Sequence, residues 1–283
     1  EHDDPWDPAK FATPLRAKIA IPIEGREVWI RPWLYVLRGA LQHTLPVLLL
    51  DTHLPENEAN DRKITDRLYG VGEEYRLRQE IVLGIGGMRI LQALGFNIQT
   101  YHLNEGHAAL LALDLLRRHP RPDDQVDAGD IKFDVGRVRD QCIFTTHTPV
   151  DAGHDRFRYE LVSRLLGDYI ELDQLKLLAG TENMNMTHLA LKLSGYVNGV
   201  ATRHAETTTR MFPGYRVRSI TNGIHPPTWA HLAFARVFNR HLPSWGFEPE
   251  LMVRADQIAD DEIWNAHREA KAELVSMVMA RTH

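Results

Sequence analysis

The chain is poor in the groups on which several large classes of protein depend. It has one cysteine, Cys142, in 283 residues. No internal disulfide can form, no clustered-thiolate metal site can be built, and a reducing compartment, by default the cytoplasm, is expected. Positive charge is not concentrated either. The 33 basic and 38 acidic residues are mixed along the chain for a formal net charge of −5, which leaves no polybasic stripe for nucleic acid or anionic lipid. No apolar run approaches the roughly 20 residues of a membrane span, and the opening EHDDPWDP is acidic where a secretory signal is basic and then apolar. There is no P-loop, and no glycine-rich turn joins a strand to a helix to cradle a phosphate. LGIGGMR, residues 83–89, has the look of a nucleotide-binding fingerprint, but no third glycine falls at the required spacing and the glycines sit inside a helical period. Close helix packing is the better reading.

What is there is the alternation of an α/β protein. A hydrophobic content of 43% over this length suffices for a sizeable core in one or two domains. VWIRPWLYVL (28–37) reads as an edge strand or a break, because Pro32 removes a ladder donor. PVLLLDT (46–52) has the pattern of a strand covered on both faces, with Asp51 near its carboxyl end. A long helix is expected from about Glu73 to Leu94, then a strand in NIQTYHL (97–103), a helix in EGHAALLALDLLRR (105–118), a strand in CIFTTHT (142–148) and a helix around Glu160 to Leu166. Residues 184–212 read as helical material interrupted near Asn198 and Gly199, followed by a short strand, VRSI. TNGIHPPTW (221–229) reads as a rigid turn closed to helix by Pro226 and Pro227. The tail from Asp260 to Arg281 has helical spacing with a strong amphipathic face.

The fold expected is therefore a Rossmann-like, doubly wound, mostly parallel sheet, in which ligands gather outside the carboxyl ends of strands. Three polar clusters, Asn104–His107, Thr145–His147 and Thr221–His225, each follow an apolar run and would make a site on one such edge. His102, Glu105, His107, His147, His154 and His225 are metal-ligand types. However, HLNEGH sets its histidines five apart, where the helical zinc arrangement needs four with a glutamate directly after the first, and no metal is expected. Asn, His and Thr groups suit sugar hydroxyls, which need paired donors and acceptors. A glycosidase would need two carboxylates flanking the scissile bond. Asp51, Glu105, Asp151 and Asp155 are available, but their separation cannot be read from letters. Glu105 is equally well accounted for as a first-turn residue favoured by the helix dipole.

Four stretches in fixed order, YHLNEGHAALLALDLLR, CIFTTHTPVDAGHDRF, NMTHLALKLSGYVNGVATRHAETTTRMFP and ITNGIHPPTW, resemble the short bacterial and archaeal branch of the α-glucan (glycogen, maltodextrin) phosphorylases. LLLDTHLPENEANDRKITDRLYG and EEYRLRQEIVLGIGGMRILQALGF are similar to the same family, so the resemblance runs from about Ala20 onward. It implies one part of a glycosyltransferase type B architecture with twin Rossmann-like domains. It also implies reversible phosphorolysis of a terminal α-1,4-linked glucose by orthophosphate to glucose 1-phosphate, with pyridoxal phosphate on a lysine of a further domain. By the same resemblance His147 is the catalytic-site histidine that meets the 6-hydroxyl of the reacting glucosyl unit. Glu105 and His107 then line the sugar pocket, Val197 and Asn198 lie near the same sugar, and Asn222 sits in the turn that closes the pocket. Ser219 stands where the long mammalian-type members have a glucose-binding asparagine. The family's glycine-rich amino-terminal loop, its phosphate-holding arginine and lysine, and its cofactor lysine have no counterparts in these residues. Residues 1–283 are accordingly expected to form an incomplete amino-terminal-side domain supplying the sugar half-site, with glycogen or maltodextrin and orthophosphate as partners and a possible homo-oligomer at full length. A noncatalytic glucan-binding module of the same descent is the alternative.

Overall fold

A computed structural model of the chain describes residues 7–39, 41–68 and 71–282. The acidic opening EHDDPW and two residues of one family-like stretch, 69 and 70, lie outside the described residues. The chain divides into two compact units, Glu1–Thr221 and Asn222–His283.

The first unit carries two main sheets. Strands β1 (Thr13–Pro14), β2 (Ile19–Ile23), β3 (Arg26–Arg38) and β4 (Thr44–Asp51) form an antiparallel sheet around β3. Pro32 neither breaks β3 nor confines it to an edge, because β3 changes partner at that point. Pairing with β2 ends at Ile30 and pairing with β1 begins at Trp33, so the missing N–H falls in the gap. The Pro32 carbonyl, on the same side, accepts from Leu15 N at 2.9 Å. PVLLLDT differs from its reading as well. Residues 46–51 belong to β4, which pairs only with β3 and is exposed at its start and half-buried from Val47 on, with Leu48 and Leu50 packed against the core on one face; Thr52, just past the strand, is buried.

The second sheet is parallel and four-stranded, in the order β10 (Arg218–Ser219), β9 (Tyr196–Gly199), β6 (Cys142–Thr146), β5 (Tyr101–Asn104). With its helices it gives the mixed α/β, Rossmann-like fold expected from the alternation. β9 is the strand that the pattern hid. YVNG is four residues long with one glycine, too short for a period of two to register against the helices on either side. The long helix is confirmed as α1 (Glu73–Ile81), a π-helical segment Val82–Gly86 and α2 (Gly87–Ala93). The glycines of LGIGGMR serve packing: a Cβ on Gly84 would lie 2.7 Å from Leu111 N, and one on Gly86 2.5 Å from Ile30 Cδ1. Helices α3 (Leu110–Leu116), α4 (Val135–Arg139), α5 (Tyr159–Leu166), α6 (Leu172–Ala179), α7 (Met186–Leu193) and α8 (Thr202–Met211) complete the unit. A small antiparallel pair, β7 (Arg156–Arg158) with β8 (Asn183–Asn185), precedes α5 and α7. Phe144, Leu103, Leu110, Leu113, Leu189 and Leu193 are buried in one continuous core.

The second unit is helical: α9 (Pro226–Trp229), α10 (Leu232–His241) and α11 (Asp260–Thr282). Residues 226–229 are helical despite both prolines, which occupy the first two helical positions, where the backbone N–H groups lack intrahelical acceptors in any case. The tail is a helix as expected, but its apolar face is not used along its length. Only Ala266 is buried, and Leu274, Val275, Met277, Val278 and Met279 are exposed. Among the described residues no helix is long and apolar enough to cross a membrane.

Candidate functional site

The parallel register aligns the polar clusters. Asn104 on β5 pairs with Thr145 on β6, Thr145 with Asn198 on β9, and Asn198 with Arg218 on β10. All four strands therefore end at one edge, the position at which α/β sheets bind ligands. Thr145 links three of them: its hydroxyl donates to Asn198 Oδ1 at 2.9 Å, and His102 Nε2 lies 2.6 Å from the same oxygen. Because Thr145 has already given its proton to Asn198, His102 is the donor in that contact and carries its proton on Nε2.

Beyond β5 the chain turns sharply at Glu105, whose φ of 66° lies in the left-handed region that residues with a side chain seldom adopt. Its backbone N–H donates to the Thr145 carbonyl at 2.8 Å. Its carboxylate is buried and accepts from Gly106 N at 3.2 Å, His147 N at 2.7 Å and the Thr148 hydroxyl at 2.9 Å. Three bonds to one carboxylate, two of them from the next loop, hold a conformation that otherwise costs about 1–3 kcal/mol. Gly106 packs closely: a Cβ there would stand 3.3 Å from Met186 Cβ at the start of α7, so α7 would have to give by a few tenths of an ångström. His147 itself is exposed, with its backbone fixed and its imidazole toward solvent.

His107 belongs to a second, charged cluster. Its Nδ1 lies 3.0 Å from Asp155 Oδ2, 3.7 Å from Glu80 Oε1 and 2.6 Å from Arg76 Nη2. Arg76 also reaches Asp155 at 3.1 Å and, through Nε, Glu80 at 3.1 Å. Glu80 is enclosed and makes no well-directed hydrogen bond in spite of that contact, so burial pushes its carboxyl up to about 7. The hydrogen bond to Asp155 first, and the nearby Glu80 carboxyl second, push His107 up to about 9. Burial works to raise the Asp155 carboxyl, but the bonds from His107 and Arg76 prevail and hold it well below the usual carboxylate range. A guanidinium can only donate, so His107 Nδ1 either accepts from Arg76 or donates to Asp155, never both. Either way the four groups balance: two cations with two anions, or, with the imidazole proton moved to Glu80, Arg76 with Asp155.

Glu80, His107 and Asp155 place ligand atoms within 4.8 Å of one another, as a metal site would. The Arg76 guanidinium stands among them and supplies the positive charge that a cation would bring. Of the six metal-ligand candidates in the sequence, His107 is the one that enters this set. Its partners Arg76 and Glu80 were not singled out by the sequence. The available signal was their spacing, an i, i+4 pair on one helix face.

The remaining candidates fall differently. Asn198 is buried with Oδ1 engaged by Thr145, and Val197 is buried in the core. Asn222 is exposed and opens the second unit, so the third polar cluster is divided between the units after Thr221. An open depression of about 750 Å³ lined by Asp123, Asp127, Lys132, Glu171 and Gln174 contains none of these residues. None of the described lysines is buried; Lys18 pairs with Glu56 and Lys132 with Glu171 at the surface.

Comparison with known proteins bears out the family resemblance. The chain is 35% identical over 277 residues to the maltodextrin phosphorylase of Thermococcus litoralis, a match covering 92% of this chain and 32% of that protein. It is 35% identical over 268 residues to the glycogen phosphorylase of Mycobacterium tuberculosis, covering 84% of this chain and 30% of that one. With the glycogen phosphorylase of Aquifex aeolicus it shares 30% identity over 257 residues, 82% of this chain and 36% of the other. The chain thus spans about a third of the length of these relatives. No family model matches it.

Proposed function

We propose that this chain, homologous over most of its length to maltodextrin and glycogen phosphorylases, supplies the sugar-binding side of an α-1,4-glucan phosphorylase. The whole protein would carry out reversible phosphorolysis, with orthophosphate taking a terminal glucosyl unit from glycogen or maltodextrin as glucose 1-phosphate. The observation that supports this most is His147, an exposed imidazole at the carboxyl edge of a parallel sheet whose own backbone N–H is fixed by a buried carboxylate. A neutral imidazole offers one donor and one acceptor, the complement of a sugar hydroxyl. Placed where charge develops during transfer, such a group is worth a hundredfold or more in rate. Glu105 and His107 on the turn after β5, Val197 and Asn198 at the end of β9, and Asn222 are the further residues that shape the pocket in this reading, by lining it or by holding its loops. Residues 1–283 form the amino-terminal-side domain of a type B glycosyltransferase in it, acting in the cytoplasm and as a homo-oligomer at full length.

Pyridoxal phosphate, implied by the family, would supply acid–base chemistry through its phosphate. The residues of this chain do not fit it: with every lysine exposed or half-buried there is no enclosed amine to hold it covalently. The chain alone is therefore expected to recognise glucan without turning it over. Incubation with pyridoxal phosphate, borohydride reduction and assay with maltodextrin and orthophosphate checks this. The expected result is neither a specific lysine adduct nor glucose 1-phosphate, and either product would contradict the division of labour. In the complete enzyme, His147→Ala should slow phosphorolysis by about a hundredfold or more, and unchanged turnover would remove His147 from the site.

A further inference from the structure

The turn Asn104–His107 and the loop 147–155 are joined at both ends of the loop. At its start, Glu105 takes the His147 N–H and the Thr148 hydroxyl, at 2.7 and 2.9 Å. At its end, His107 and Arg76 hold Asp155 at 3.0 and 3.1 Å, and the Asp155 carbonyl accepts from Met186 N at 3.0 Å. His154, buried next to it, is fixed through Nδ1 to the Thr187 hydroxyl at 2.8 Å. Between these anchors residues 149–153 are exposed. Three donors already occupy the Glu105 carboxylate, and both ring nitrogens of His107 face Arg76, with Nδ1 also against Asp155.

We propose that Glu105 and His107 are positioning residues that bracket the 147–155 loop, so that the turn after β5 acts on a glucosyl unit through His147 and not by contact of its own. The inference rests on the sugar-binding reading of His147 and specifies how that site is built. Glu105 sets the height of His147 above the sheet edge by tying its amide to the strand that ends beside it. His107 closes the other end of the loop on α1. With the backbone at His147 fixed, only the two side-chain torsions of the imidazole remain to be ordered when it meets a hydroxyl, so less freedom is lost.

The test is a double-mutant cycle on the 283-residue chain, read by maltodextrin titration and by amide exchange of residues 147–155. Glu105→Ala should speed exchange of the His147 amide at least tenfold and weaken maltodextrin binding by about the same factor as His147→Ala. In the His147→Ala background the same change should weaken it no further. Glu105→Gln, which keeps one acceptor for the His147 N–H, should restore part of both readouts. Thr148→Val, a milder change that leaves the turn intact, should move both in the direction of Glu105→Ala by a smaller factor. Additive losses would show that Glu105 touches the sugar itself and would overturn the inference, as would unchanged amide exchange in Glu105→Ala and Thr148→Val. A His147→Ala variant that binds maltodextrin as the parent does would instead sink the sugar-site reading on which the inference stands.

Discussion

The two units of the chain solve the same folding problem with different means. In Glu1–Thr221 a parallel and an antiparallel sheet share one extended core with α1–α8, and buried polar groups such as Glu105, Thr145, Asn198 and Thr187 are held inside it by directed bonds. In Asn222–His283 the buried apolar set is small: Ala233, Val237, Phe238, Leu242, Trp245, Ile258 and Ala266. The difference teaches where precise chemistry can be placed. A buried carboxylate that fixes a neighbouring loop needs surrounding walls that do not yield, and only the first unit has a core large enough to provide them.

The most severe way to break this contrast is to hollow the larger core. Phe144 is fully buried at the centre of the parallel sheet, and Phe144→Ala should destabilise the first unit by about 3–5 kcal/mol. Phe238→Ala in the second unit should leave the main urea transition in place. Equal loss of the main transition in both variants would show that the units do not differ as described. Glycine substitutions sharpen the same comparison at a smaller scale. Gly84→Ala drives a methyl to within 2.7 Å of backbone and should cost about 1–3 kcal/mol. Gly223→Ala, with nothing within 4 Å, should change stability by less than about 0.5 kcal/mol.

A further effect concerns protons. The His107 pKa is raised from 6.5 to about 9, so its share of stability is complete below about pH 6.5 and is lost as the pH climbs through about 9. Glu80 works in the opposite sense. Its carboxyl is raised from 4.5 to about 7, so its ionisation over that interval disfavours the folded state. NMR titration of the His107 ring should show a midpoint well above 6.5, and Asp155→Asn should bring it down by removing the first of its two carboxylate partners. A midpoint unmoved by Asp155→Asn would mean that the cluster is not coupled as the distances imply.

The alternation of strands and helices, the long helix from Glu73 and the edge carrying Asn104 and Thr145 were legible in the sequence because each is a periodic or a local signal. β9 was not, since four residues of mixed character carry no period, and Pro226 misled because its cost depends on its place in a helix turn. Pro32 misled for a related reason: whether a missing donor matters depends on which strand lies opposite. At the candidate site, the position of His147 as a polar residue at a strand end was legible. The bonds of Glu105 to the next loop, and the association of Arg76 and Glu80 with Asp155, 79 and 75 residues away in sequence, arise from tertiary packing and have no local signature.

The proposed role of the edge carrying His147 is recognition of α-1,4-linked glucose. Its most direct test is to follow the His147 ring signals of this chain by NMR while maltodextrin is added, with a β-1,4-linked glucan oligomer as control. A saturable shift of the His147 resonances with maltodextrin is expected, one that the control does not reproduce. No shift at His147 with maltodextrin, or the same shift with both glucans, would contradict it.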